Sequence, residues 1–151
     1  MNPFRRATLT MIVSGIYSPT PAADRCQPLF LTRVPAGFPS PADDYMEGNL
    51  DLNAHLIKHP AATFFVRAVG DSMKDTGIHT GDILIVDRSL EAADGTIVIA
   101  AINGELTIKR ISKNGGALFL VSGNVEFAPI PIREGMDFAV WGVVTSVIHE
   151  F

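Results

Sequence analysis

The sequence predicts a mainly β fold: a compact domain of about six or more strands with a little helix, preceded by an extended N-terminal arm. Three observations predict it. Beyond residue 62 the chain is a succession of runs rich in β-branched and aromatic residues, separated by Gly, Asn and Asp. Asn103-Gly104 stands between two of these runs, and both residue types tolerate the positive φ of a tight hairpin. Pro19, Pro21, Pro28, Pro35, Pro39 and Pro41 crowd residues 18–41, a density that breaks helices and withholds backbone donors from sheets.

In chain order, "FRRATLTMIVSGIYSPTPAAD" imitates a secretory signal, with two arginines, an apolar run and small residues at Ala22 and Ala23. The run from Ala7 to Tyr17 is diluted by Thr8, Thr10, Ser14 and Gly15. No run approaches the ~18 apolar residues of a spanning helix. The expectation is a soluble, cytoplasmic protein without a membrane anchor. The proline-rich segment follows as an extended arm. "NLDLNAHLIKHP" then places Leu50, Leu52, Leu56 and Ile57 at spacings that suit a short helix, stopped by Pro60. The strands are read at "TFFVRAV", "DILIVD", "GTIVIAAI", "ELTIKRI", "ALFLV" and "FAVWGVVTSVI".

Composition supplies a core and narrows the partners. The 151 residues are 47% hydrophobic with a mean hydropathy of +0.25, enough for one ordinary domain. The net charge is −4, but residues 1–36 carry +3, which leaves −7 on the rest. An acidic body argues against direct binding to phosphate backbones, so any DNA association is expected to be indirect. Cys26, alone, forms no intramolecular disulfide, and nothing asks for an oxidising compartment.

The chemistry centres on "VRAVGDSMKDTGIHTGDILIVD", where Ser72 sits in a turn between two apolar runs. A serine hydroxyl is a weak nucleophile without a base in reach. The G-x-S-x-G elbow of the α/β-hydrolases is excluded, because Lys74 occupies its last position and no alternating β-α pattern surrounds it. His55, His59, His79 and His149 are candidate bases, none singled out by its neighbourhood. His55 and His59 have i,i+4 spacing but no third ligand, so no metal site and no cofactor is read. Lys109, in "GELTIKRI", is the remaining candidate.

"GFPSPADDY", "GDSM", "GDILIVD", "GTIVIAAINGE" and "TIKR", in this order, resemble the LexA/UmuD family of self-cleaving serine peptidases, without gaps from Gly37 to about Arg110 and more loosely to Phe151. The resemblance implies Ser72 as nucleophile and Lys109 as general base. It implies a scissile bond between Ala36 and Gly37, so that residues 1–36 are an arm removed by self-cleavage and residues 37–151 a peptidase and polymerase-accessory domain. It further implies a homodimer, activation by a RecA filament on single-stranded DNA, and a UmuC-type error-prone DNA polymerase as partner in the SOS response.

Such a lysine must be neutral to accept a proton, so burial must depress its ordinary pKa of about 10.4. Strand parity puts Thr107 and Ile111 on the face of Lys109; a threonine hydroxyl there suits an orienting role and the isoleucine excludes water. Backbone N–H groups of the Asp71-Ser72 turn suit an oxyanion hole, whereas Asp71 itself reads as a turn former. Three other readings compete. A LexA-like or phage-type repressor needs a helix-turn-helix ahead of the cut, where only 36 proline-broken residues stand. A leader peptidase needs a membrane anchor, and residues 7–17 are too short for one. A non-catalytic β-rich interaction module would never shorten.

Overall fold

The computed structural model describes residues 11–19, 26–30 and 46–151. In chain order the elements are β1 (Ile12–Tyr17), β2 (Cys26–Phe30), β3 (Met46–Asp51), α1 (Leu52–Leu56), β4 (Thr63–Val69), β5 (Ile83–Asp87), β6 (Ile97–Ile102), β7 (Glu105–Asn114), β8 (Ala117–Val121), β9 (Ile130–Ile132) and β10 (Phe138–Ile148). They fall into two units, Met1–Pro19 with His59–Phe151, and Thr20–Lys58.

In the smaller unit β2 and β3 pair antiparallel, with Pro28 opposite Asn49. A two-stranded sheet has only edges, which is where a residue lacking an N–H is tolerated. Asp51 caps α1, its carboxylate accepting from the N–H groups of Asn53 and Ala54. That cap was not foreseen, although Asp before a short helical run is a start signal.

The larger unit is one eight-stranded antiparallel sheet in the order β1-β4-β5-β10-β6-β7-β8-β9. β1 also bridges to β7 through Ile12 and Thr107, so the first six strands of that order close into a ring with β8 and β9 as a flap. The Asn103-Gly104 hairpin joins β6 and β7 as the sequence predicts, with φ of 51° and 82° and Ile102 opposite Glu105. The long strand β10 serves two neighbours, first β6 and then β5, with Val143 paired to both and a bulge just before Gly142. A Cβ there would lie 2.5 Å from Val86 Cγ1, so the strands approach as closely as glycine allows.

Apolar side chains form two clusters on opposite faces of β6 and β7. One cluster contains Met11, Val66, Met73, Leu84, Ile99 and Ile108; a second contains Val98, Ala100, Ile111, Leu120 and Val143. Six of the ten strands coincide with the runs read from sequence, and the class is mainly β as predicted. β1 was not anticipated as a strand, because its weak run resembles a leader more than a core strand. β9 was missed because Pro131 interrupts a three-residue element; it stands at the sheet edge, pairing on one side with β8. Ala36, Gly37 and most of the proline-rich arm lie outside the described residues. Among the described residues no helix is long and apolar enough to cross a membrane.

Candidate active site

Ser72 is delivered by the end of β4. The strand stops at Val69, and Gly70, at φ 116°, turns the chain. Thr80 fixes that turn, its Oγ1 accepting from the Gly70 N–H and donating to the Gly70 carbonyl, each at 2.8 Å. Gly81 N–H to Ala68 O, 2.8 Å, and Ala68 N–H to Asp82 O, 2.9 Å, close the stem between β4 and β5. Ser72 is therefore held in a pinned loop and is fully buried. Its neighbour Met73 drives a buried side chain into the first core cluster and so anchors the turn from inside.

A second segment, unseen in the sequence reading, braces this turn. Gly123 N–H meets Met73 Sδ at 3.1 Å, Asp75 N–H donates to Gly123 O at 2.7 Å, and the buried Asn124 donates from Nδ2 to Asp71 O at 3.2 Å. A Cβ on Gly123 would lie 2.5 Å from Thr76 Cγ2 and 3.2 Å from Met73 Cα. The only signal for it in the sequence was "VSGN" after a strand, a turn composition with no link to Ser72.

Lys109 comes from the middle of β7, opposite Val98 of β6. The residue is 2% exposed and its Nζ lies 3.0 Å from Ser72 Oγ. Burial lowers its pKa from 10.5 to about 8, since the charged ammonium loses hydration there. The ion pairs among the described residues, His59–Asp87, His79–Asp82 and His149–Asp82, do not include Lys109, so no carboxylate offsets that loss. Ile111, which parity sets on the face of Lys109, is buried as well. Thr107 is buried too, but its Oγ1 donates to the Met11 carbonyl at 2.7 Å rather than toward the amine. The expectation that Thr107 orients Lys109 gives way to a role in holding β1.

The histidines stand elsewhere. His55 is exposed on α1, and His59 Nδ1 lies 2.5 Å from Asp87 Oδ2. His79 and His149 both face Asp82. Among the described residues none hydrogen-bonds to Ser72. At that serine the chemistry available is proton transfer to an amine whose neutral form is within reach of physiological pH.

A hydroxyl and a desolvated lysine buried together in an antiparallel β scaffold define a class of site in which an amine, not an imidazole, attends the serine. The chain belongs to the Peptidase S24-like family, whose profile matches residues 28–145. It is 47% identical over 127 residues to Protein SamA of Salmonella typhimurium, covering 82% of this chain and 85% of that protein. It is 43% identical over 127 residues to Protein MucA of Escherichia coli, covering 82% and 84% respectively. To the LexA repressor of Pseudomonas chlororaphis it is 38% identical over 118 residues, covering 78% of this chain and 58% of the repressor. The LexA/UmuD likeness of the motifs is thus a family relationship.

Proposed function

We propose that this protein is a serine endopeptidase that cuts its own chain between Ala36 and Gly37, with Ser72 as nucleophile and Lys109 as general base. The observation that carries the reading is the 3.0 Å contact between Lys109 Nζ and Ser72 Oγ at a site where burial lowers the lysine pKa to about 8. In this mechanism neutral Lys109 takes the hydroxyl proton as Oγ attacks the Ala36 carbonyl. The resulting ammonium returns the proton to the Gly37 nitrogen as the peptide bond breaks, leaving an acyl ester on Ser72. Water, deprotonated by the same amine, then attacks the ester; the ammonium returns that proton to Ser72 Oγ as the ester C–O bond breaks, which frees the Ala36 carboxyl group and restores the hydroxyl and the neutral amine. In this reading N–H groups of the Asp71-Ser72 turn receive the developing oxyanion. Small residues on both sides of the bond suit a groove that takes an extended chain.

In this reading residues 1–36 are the arm that is removed, and residues 37–151 are the product. The product serves as a homodimeric accessory subunit of a UmuC-type error-prone polymerase in SOS mutagenesis, after activation by a RecA filament on single-stranded DNA in the cytoplasm. Membership in the Peptidase S24-like family and the similarity to MucA and SamA support it. The test is incubation of the purified chain with RecA, single-stranded DNA and a nucleotide, followed by intact-mass measurement and N-terminal sequencing. A product that begins at Gly37 is expected. A chain that never shortens, or a different first residue, would overturn the assignment.

A further inference from the structure

We propose that His79, Asp82 and His149 form a binding site for a divalent transition-metal ion of the zinc class. The sheet itself builds the cluster. The last rung of the β5–β10 pair sets Ile83 opposite Ile148, so the next residues outward, Asp82 and His149, emerge at the same end. His79 is folded back onto Asp82 by a closed turn, with Asp82 N–H donating to His79 O at 3.1 Å and His79 N–H donating to Asp82 Oδ2 at 2.8 Å. One candidate ligand atom from each of the three side chains lies within 4.8 Å of the others. His149 Nδ1 stands 2.5 Å from Asp82 Oδ1, and His79 Nδ1 stands 3.8 Å from Oδ2. The two rings are adjacent, with centroids 5.2 Å apart.

The donor set selects the ion. Two imidazole nitrogens and one carboxylate oxygen suit zinc and its neighbours, whereas calcium and magnesium require oxygen ligands. Bonds of about 2.0 Å in a tetrahedron put ligands about 3.3 Å apart. The hydrogen-bonded contact of His149 must therefore open slightly and His79 must swing inward. Both imidazoles have room to do so, being 41% and 53% exposed, while the 2%-exposed carboxylate is the fixed point. A fourth position is left to water on the exposed side. The His59–Asp87 pair shows what a purely structural contact looks like here. It has one imidazole, and its other carboxylate oxygen accepts two hydrogen bonds, from the N–H and hydroxyl of Ser89, whereas Asp82 Oδ2 accepts one, from the His79 N–H. At Asp82 a second imidazole faces the carboxylate at 3.8 Å, too far for a hydrogen bond. Metal binding would fasten the end of β10 to the loop that carries Ser72, one residue from the threonine that pins Gly70.

The experiment is titration of the chelator-stripped full-length chain with Zn2+ against a chromophoric competitor, and with Co2+ followed by visible absorption. One ion per chain and a tetrahedral Co2+ spectrum are expected, with His79→Ala and His149→Ala each weakening binding at least about tenfold. His149→Gln, which keeps a hydrogen-bonding group toward Asp82 but loses the imidazole, is expected to lose the metal as well. His55→Ala is expected to bind as the parent does. No binding at submillimolar metal, unchanged affinity in the His79 and His149 variants, or an equal loss in His55→Ala would overturn the site.

Discussion

Replacing Lys109 with methionine should stabilise the protein at neutral pH while abolishing its proposed reaction. The folded chain holds this amine at a pKa of about 8 against 10.5 in the open chain, a difference that corresponds to about 3 kcal/mol. The unfolded state binds the proton more tightly, so stability rises with pH between these two values. Below pH 8 both states are protonated and the full cost of burying the ammonium is present. Methionine is similar in length and bears no charge, so it removes that cost. The comparison is made in a Ser72→Ala background, which keeps the chain intact and eliminates the buried hydroxyl that would otherwise lose its partner. Urea unfolding of Ser72→Ala and of Ser72→Ala/Lys109→Met should differ by about 3 kcal/mol at pH 7, in favour of methionine, shrinking to under about 1 kcal/mol at pH 10. A difference that does not change with pH, or a methionine variant less stable throughout, would refute the claim that desolvation of this amine sets its basicity.

Self-cleavage without activator should rise about tenfold per pH unit below pH 8 and level off above it, as Lys109 becomes neutral; intact-mass time courses read this, and a plateau near pH 6.5 would point to a histidine instead. Ser72→Ala should stay full length and folded under the same alkaline incubation, since the loss of one hydroxyl opens no large cavity, whereas shortening would exclude this nucleophile. Gly123→Ala should slow cleavage by about a hundredfold at a stability cost of about 1–2 kcal/mol, because the added methyl pushes on Thr76 and on the Met73 backbone; a normal rate would show that the brace does not position the serine. Ala36→Asp should block cleavage by crowding and charging a small-residue subsite, and a product beginning at Gly37 from that variant would contradict the assigned bond.

Most of the sheet was legible because its strands obey local rules: β-branched runs, an Asn-Gly hairpin, glycines at turns. Lys109 was legible only in part. Parity told which residues share its face, but the burial of that face depends on β6 and β8 flanking β7, a fact of tertiary pairing. Thr107 illustrates the limit. Its position beside Lys109 suggested a polar contact, yet the partner it found, the Met11 carbonyl, lies 96 residues earlier in the chain. Gly123 and Asn124 were invisible for the same reason, since their purpose is defined by a loop 50 residues upstream. The His79–Asp82–His149 cluster also escaped, because spacing rules look for ligands on one helix face and here the rung of an antiparallel pair supplies the third.

The ring of strands carries a consequence of its own. β1 lies on the N-terminal side of Ala36, so the proposed cut would turn one molecule into a body and a peptide that still share hydrogen bonds along β4 and the buried Met11 side chain. Before the cut, tethering keeps the strand at an effective concentration in the millimolar range. Afterwards only ordinary dilution governs whether it stays. Hydrolysis and release would thus be separate events, the first set by the proposed chemistry at Ser72 and the second by how much protein the cell contains. A trimmed molecule that loses its peptide bares the flanks of β4 and β7, two unpaired strand edges suited to an extended segment from another chain.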